Sequence, residues 1–112
     1  MMIYHGSRDA NHDAKVFVTG DGDRRRLPLR LDLDNHSPTG FEWGYGGSGP
    51  AQLALALIAH ATGDDDLAVK LHQQFKWKVV SSLPAAWCMT ETMIKNVVAE
   101  LWAQDDDARI SN

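Results

Sequence analysis

The chain has 112 residues, 44% hydrophobic and 23% charged, which is the usage of an ordinary globular domain with a single core. Its formal net charge of −4 argues against general binding to nucleic acid, an attraction that rests on neutralising phosphates with Lys and Arg. One cysteine, Cys88, excludes an internal disulfide, and the apolar run Leu53–Ala59 falls far short of the roughly 20 residues that span a bilayer.

Met1–His5 lacks the basic-then-apolar order of an export signal, so a cytoplasmic chain folding as one domain over residues 1–112 is the expectation. The first third reads as strands. Ile3–His5 and Lys15–Thr19 carry β-branched and aromatic residues, and Leu27, Leu29, Leu31 and Leu33 alternate with Pro28, Arg30 and Asp32 in the period-two pattern of a half-buried strand. Between the last two lies Gly20-Asp21-Gly22-Asp23, a sequence that accepts the left-handed turn of a hairpin. Pro28 lacks an N–H, so its strand is expected at an edge or with that position aimed at solvent.

A glycine-rich loop follows over Asn35–Gly49, and after it the pattern turns helical. Pro50 suits a first helical turn behind Ser48 or Gly49 as cap, and the helix runs to about Thr62 before Gly63 ends it. Nearly all its residues are Ala, Leu or Ile, so it reads as the buried spine of the core. A second helix starts at Asp64 or Asp65 and continues through Leu71, Phe75 and Val79 to Leu83, where Pro84 stops it. Thr90 caps a third, with Met89 and Ile94 as a hydrophobic staple and Met93, Val97 and Leu101 as its buried stripe. Asp105–Asn112 is aperiodic and expected to fray. The fold class is therefore α+β, a small antiparallel sheet built on an N-terminal hairpin and packed against a C-terminal bundle of three helices. Its expected core is Leu29, Leu31, Leu53, Leu57, Leu71, Phe75, Val79, Ile94, Val97 and Leu101.

The loop is the unusual part, because glycines at 40, 44, 46, 47 and 49 are entropically costly and crowd beside Phe41, Trp43 and Tyr45. Three chemistries can be written on it. His36, Ser37 and Glu42 form a Ser/His/carboxylate set, although Asn35 and Ser37 fit a side-chain-closed turn equally well. Gly46-Gly47-Ser48-Gly49-Pro50 approaches a nucleophile elbow but carries proline where the final glycine belongs. The same glycines feed a helix N-terminus that suits a phosphate, yet no lysine follows them as the Walker pattern requires. His5, His12, His36, His60 and His72 are scattered and show no ligand spacing, so neither a metal nor another cofactor is expected. Phe75, Trp77, Trp87 and Trp102 read as core and rim residues, whereas Trp43, between Glu42 and Tyr45, is either a loop anchor or an interface residue.

The string Ser37-Pro38-Thr39-Gly40-Phe41-Glu42-Trp43-Gly44-Tyr45-Gly46-Gly47-Ser48-Gly49-Pro50-Ala51-Gln52-Leu53-Ala54, with the later Phe75-Lys76-Trp77, resembles a family of small bacterial proteins also carried on plasmids and phages. The resemblance covers about Tyr4 to Ile94. That family is a domain of unknown function, so the likeness implies a setting in mobile elements and no activity. Such a setting favours small proteins that bind and disable a host defence complex.

The resulting expectation is a non-enzymatic interaction protein, an inhibitor of an immune effector complex of the CRISPR type, that binds a protein partner and neither membrane nor nucleic acid directly. Asn35, His36, Glu42, Trp43, Tyr45 and Ser48 of the loop and the acidic Asp64, Asp65 and Asp66 are its candidate binding residues. The rival readings are a small enzyme or nucleotide sensor using His36, Glu42 and Ser48, and a homo-oligomeric structural module.

Overall fold

The computed structural model describes residues 1–105. Strands β1 (Ile3–Arg8), β2 (Ala14–Gly20), β3 (Asp23–Arg26) and β4 (Trp87–Thr90) form one antiparallel sheet in the order β3-β2-β1-β4. The period of two sets its inner face. Tyr4 pairs with Val18 and Met89, and Gly6 with Val16 and Trp87, so these six alternate residues turn together toward the helices and are buried. Glycine is required at position 6 because a Cβ there would run into the Trp87 indole.

The expected hairpin joins β2 to β3, with Asp21 and Gly22 both at positive φ (53° and 85°), the twist that matches antiparallel strands. The strand expected over Leu27–Leu33 does not form. Leu27 N–H makes a last bond to Val16 O (3.1 Å), Pro28 has no N–H to continue the ladder, and Arg30 turns to a positive φ of 58°. Leu27 is buried and Leu29 and Leu33 pack against the core from an irregular segment, while Leu31 is exposed.

Helices α1 (Ser48–Thr62), α2 (Asp65–Lys78) and α3 (Glu91–Gln104) pack on one another, with α1 buried from Gly49 to Ala59. Gly63 closes α1 at φ 69° with its N–H on Ala59 O, and Asp64 caps α2 through Leu67 N–H (3.0 Å). The second helix is shorter than expected. It stops at Lys78, and the 3-10 turn Val80–Ser82 follows, burying Val80 and turning its carbonyl to the Gly44 N–H (3.0 Å) of the glycine loop.

Thr90 caps α3 by accepting from Met93 N–H (3.1 Å), as expected, but the buried face is Ile94, Val98 and Leu101. Met93 is exposed and Val97 only half-buried, since the stripe continues from Ile94 at the fourth residue. Glu91 ties this helix to the N-terminal strand, donating its N–H to Met2 O (3.0 Å) and accepting from Met2 N–H (2.7 Å). Leu53, Leu57, Leu71, Phe75, Ile94 and Leu101 are buried together, and Leu29, Val79 and Val97 pack half-buried against them. Asp105 closes α3, and the rest of the expected frayed tail lies outside the described residues. Among the described residues no helix is long and apolar enough to cross a membrane.

Candidate functional site

One polar side chain interrupts the buried run of α1, and it organises the segment between sheet and helices. Gln52 Oε1 accepts from the N–H groups of His36 (2.8 Å) and Ser37 (3.0 Å), while its Nε2 donates to Leu29 O (2.6 Å) and Asp34 O (3.1 Å). Both lone-pair directions and both amide hydrogens are used, as a fully buried amide demands. The segment from Leu29 to Ser37 is thereby fixed to α1.

That attachment sets Asp34 and His36 against α2, where His72 is only 4% exposed. His72 Nδ1 lies 2.8 Å from Val69 O and 3.1 Å from Ala68 O, and carbonyls only accept, so this nitrogen carries a hydrogen. In the neutral ring the lone pair is then on Nε2, which faces His36 Nε2 at 2.9 Å. Asp34 Oδ2 stands 3.2 Å from the same His36 nitrogen, and Gln73 Nε2 3.5 Å from His72 Nε2. The ligand atoms of Asp34, His36 and His72 all lie within 4.8 Å of one another. Histidines that look scattered along the chain thus meet through the fold.

The glycine loop is anchored by its own aromatics. Phe41 and Trp43 are buried, and Trp43 meets Trp87 edge to face with ring centroids 5.6 Å apart. Arg8 lies over the Trp43 ring at 4.7 Å and grips Glu42 with two hydrogen bonds (2.9 and 3.4 Å), which raise the guanidinium pKa further above its ordinary value. Ser37 Oγ donates to Gly40 O (2.7 Å), closing a local turn, and Asn35 is exposed beside His36. Glu42 is committed to Arg8, His36 to Asp34 and His72, and Ser37 to its own turn, so the Ser37–His36–Glu42 set is not assembled.

The glycines before α1 serve side-chain packing. A Cβ on Gly49 would meet Glu42 Cβ (2.6 Å), one on Gly46 the Trp77 ring and one on Gly47 the Tyr45 ring. Gly49 thus allows the close approach of Glu42 to the start of α1, while the Glu42 carboxylate turns to Arg8. Ser48 is exposed and opens α1 behind Gly47, without capping it by a side-chain bond. The packing has a second consequence: Tyr45 and Trp77 rest on consecutive glycines and yet remain 52% and 62% exposed. Lys76 Nζ lies 4.4 Å from the Trp77 ring centroid.

Asp64, Asp65 and Asp66 lie past the far end of α1, about 20 Å from Ser48 at 1.5 Å per residue. Their roles divide. Asp64 caps α2, and Asp65 takes two hydrogen bonds from Arg30 (2.8 and 3.1 Å), which Asp32 also holds. Asp64 and Asp66 line an open groove of about 680 Å³ with Lys70, Lys95 and Trp102. The candidate residues thus form separate regions rather than one site, and the sequence reading missed Arg8, Asp34, Gln52, His72 and Trp77. Only Gln52 carried a signal, as a lone amide inside an Ala/Leu helix.

No curated protein and no solved structure matches the chain. One family model matches residues 4–100, almost all of the described chain, and by that match the protein belongs to a family of unknown function (DUF6166).

Proposed function

We propose that this chain is a non-enzymatic protein-interaction module whose contact surface is the Tyr45–Trp77 platform. The observation that carries the reading is the pair of exposed aromatic rings set on glycines 46 and 47, in a loop pinned by buried Phe41 and Trp43. Trp and Tyr supply most interface hot spots, and a surface rigid before binding loses little entropy on docking. The catalytic alternative lacks an assembled nucleophile and base, because His36 and Glu42 are held by other partners.

The partner in this reading is a component of a bacterial immune effector complex, of the CRISPR type, that the chain inhibits. This identity rests on the resemblance to proteins of mobile elements.

The test is capture from a bacterial lysate with the full chain and with Tyr45→Ala/Trp77→Ala, quantified by mass spectrometry. A specific protein should be retained by the wild type and depleted about 30-fold or more with the variant, the equivalent of one hot spot of about 2 kcal/mol. Equal capture by a folded double variant contradicts the proposal. So does a wild-type dimer in sedimentation that the double variant dissociates, which is the behaviour of a homo-oligomeric module.

A further inference from the structure

The geometry points to a divalent transition-metal site formed by Asp34 Oδ2, His36 Nε2 and His72 Nε2. Two imidazole nitrogens face each other at 2.9 Å with a carboxylate oxygen 3.2 Å from one of them, and all three atoms fall within 4.8 Å. Two nitrogens bound at about 2.0–2.1 Å with a tetrahedral angle stand roughly 3.3–3.4 Å apart. The pair therefore needs to open by only about 0.4–0.5 Å to admit an ion of that geometry.

The outer contacts are those of a metal-ligating histidine. Nδ1–H of His72 is held by the Val69 and Ala68 carbonyls, which fixes the ring with its Nε2 lone pair directed outward. Gln52 fixes the backbone of the other two ligands through Asp34 O and His36 N–H. With the His72 hydrogen on Nδ1, the hydrogen between the two rings belongs to His36 Nε2, and metal binding transfers it through solvent to His36 Nδ1, so that both neutral rings present an Nε2 lone pair.

Two neutral imidazoles and one carboxylate suit Zn²⁺ and its first-row neighbours, and disfavour Mg²⁺ and Ca²⁺, which take oxygen ligands. Three protein ligands leave a fourth position for water. Access is from the side of Asp34 and His36, whose side chains are 43% and 23% exposed. Asp34 and His36 precede α1 and His72 is on α2, so the ion cross-links the irregular segment to the second helix.

The experiment is calorimetric titration of the EDTA-treated full chain with ZnSO₄, and with MgCl₂ as control, alongside ¹⁵N NMR of the histidine rings. One Zn²⁺ per chain is expected, with Nε2 of His36 and His72 shifting and the rings of His5, His12 and His60 unmoved. His36→Asn should weaken binding by more than the about 10–100-fold that loss of an outer contact costs, and Asp34→Asn by at least about 10-fold. Circular dichroism checks that both variants fold, and the ring shifts of the wild type stand independently of them. Absence of zinc binding, shifts confined to His5, His12 or His60, or undiminished affinity in His36→Asn overturns the assignment.

Discussion

Replacing Gln52 by leucine keeps the volume of the side chain and removes every polar partner of the segment it holds. The N–H groups of His36 and Ser37 lose their shared acceptor, and the carbonyls of Leu29 and Asp34 lose their donors. Two stranded N–H groups cost about 2–6 kcal/mol. The carbonyls add less, because an acceptor with two lone pairs tolerates a lost partner better than an N–H does, and the apolar leucine returns about 1 kcal/mol. A net loss near 3–4 kcal/mol follows, a large share of the about 5–15 kcal/mol that holds a domain together.

Gln52→Glu separates the two halves of this clamp. It keeps acceptors for His36 and Ser37 but turns a carboxylate oxygen toward two carbonyls, which favours the protonated acid and raises its pKa above the unfolded value of about 4.3. The folded state then binds more protons than the unfolded state between those values, so the variant loses stability as pH rises through that window. Urea denaturation followed by circular dichroism measures both effects. A Gln52→Leu loss below about 1 kcal/mol, or a Glu variant whose stability does not improve relative to wild type on acidification, refutes the clamp.

Three further outcomes follow from the same geometry. Gly6→Ala should cost about 1–3 kcal/mol in chemical denaturation, because its Cβ meets the Trp87 indole in a packed core, and a neutral result would show the ring moves freely. Asp64→Ala should cost about 0.5–2 kcal/mol as a lost cap, and Asp65→Asn less than about 1 kcal/mol as a half-exposed ion pair, so the reverse order in thermal melts contradicts the division of the acidic run. Desolvation holds His60, whose Nδ1 lies 2.8 Å from the Tyr4 hydroxyl oxygen, below its ordinary value of 6.5, outweighing the opposing pull of Glu91. Below pH 6.5 the unfolded chain therefore binds more protons and stability falls with pH, an effect that His60→Gln should reduce; an identical acid loss in both proteins sinks it.

What was legible in the sequence is what local chemistry determines. The hairpin at Asp21-Gly22, the end of α1 at Gly63, the start of α2 in the acidic run and the cap Thr90 each follow from a few neighbouring residues. β4 was not legible, because its four residues become a strand only by pairing with β1 across most of the chain. The alternating leucines from Leu27 to Leu33 imitated a strand, but Pro28 and the Gln52 contacts to Leu29 and Asp34 take that backbone out of the ladder. The Asp34–His36–His72 cluster joins groups separated by up to 38 positions, and no spacing pattern foretells it. Trp77 read as a rim residue of α2, and its place on Gly46 depends on how the loop crosses that helix.

The claim that Tyr45 and Trp77 form the contact surface is tested most directly by hydroxyl-radical footprinting of the chain, free and in the captured complex. Both rings are open to oxidation in the free protein, as are Met93 and Trp102, which lie on α3. The account predicts strong protection of Tyr45 and Trp77 on binding, with Met93 and Trp102 oxidised as before. Protection at Trp102 and the α2–α3 groove, with Tyr45 and Trp77 unchanged, would contradict it.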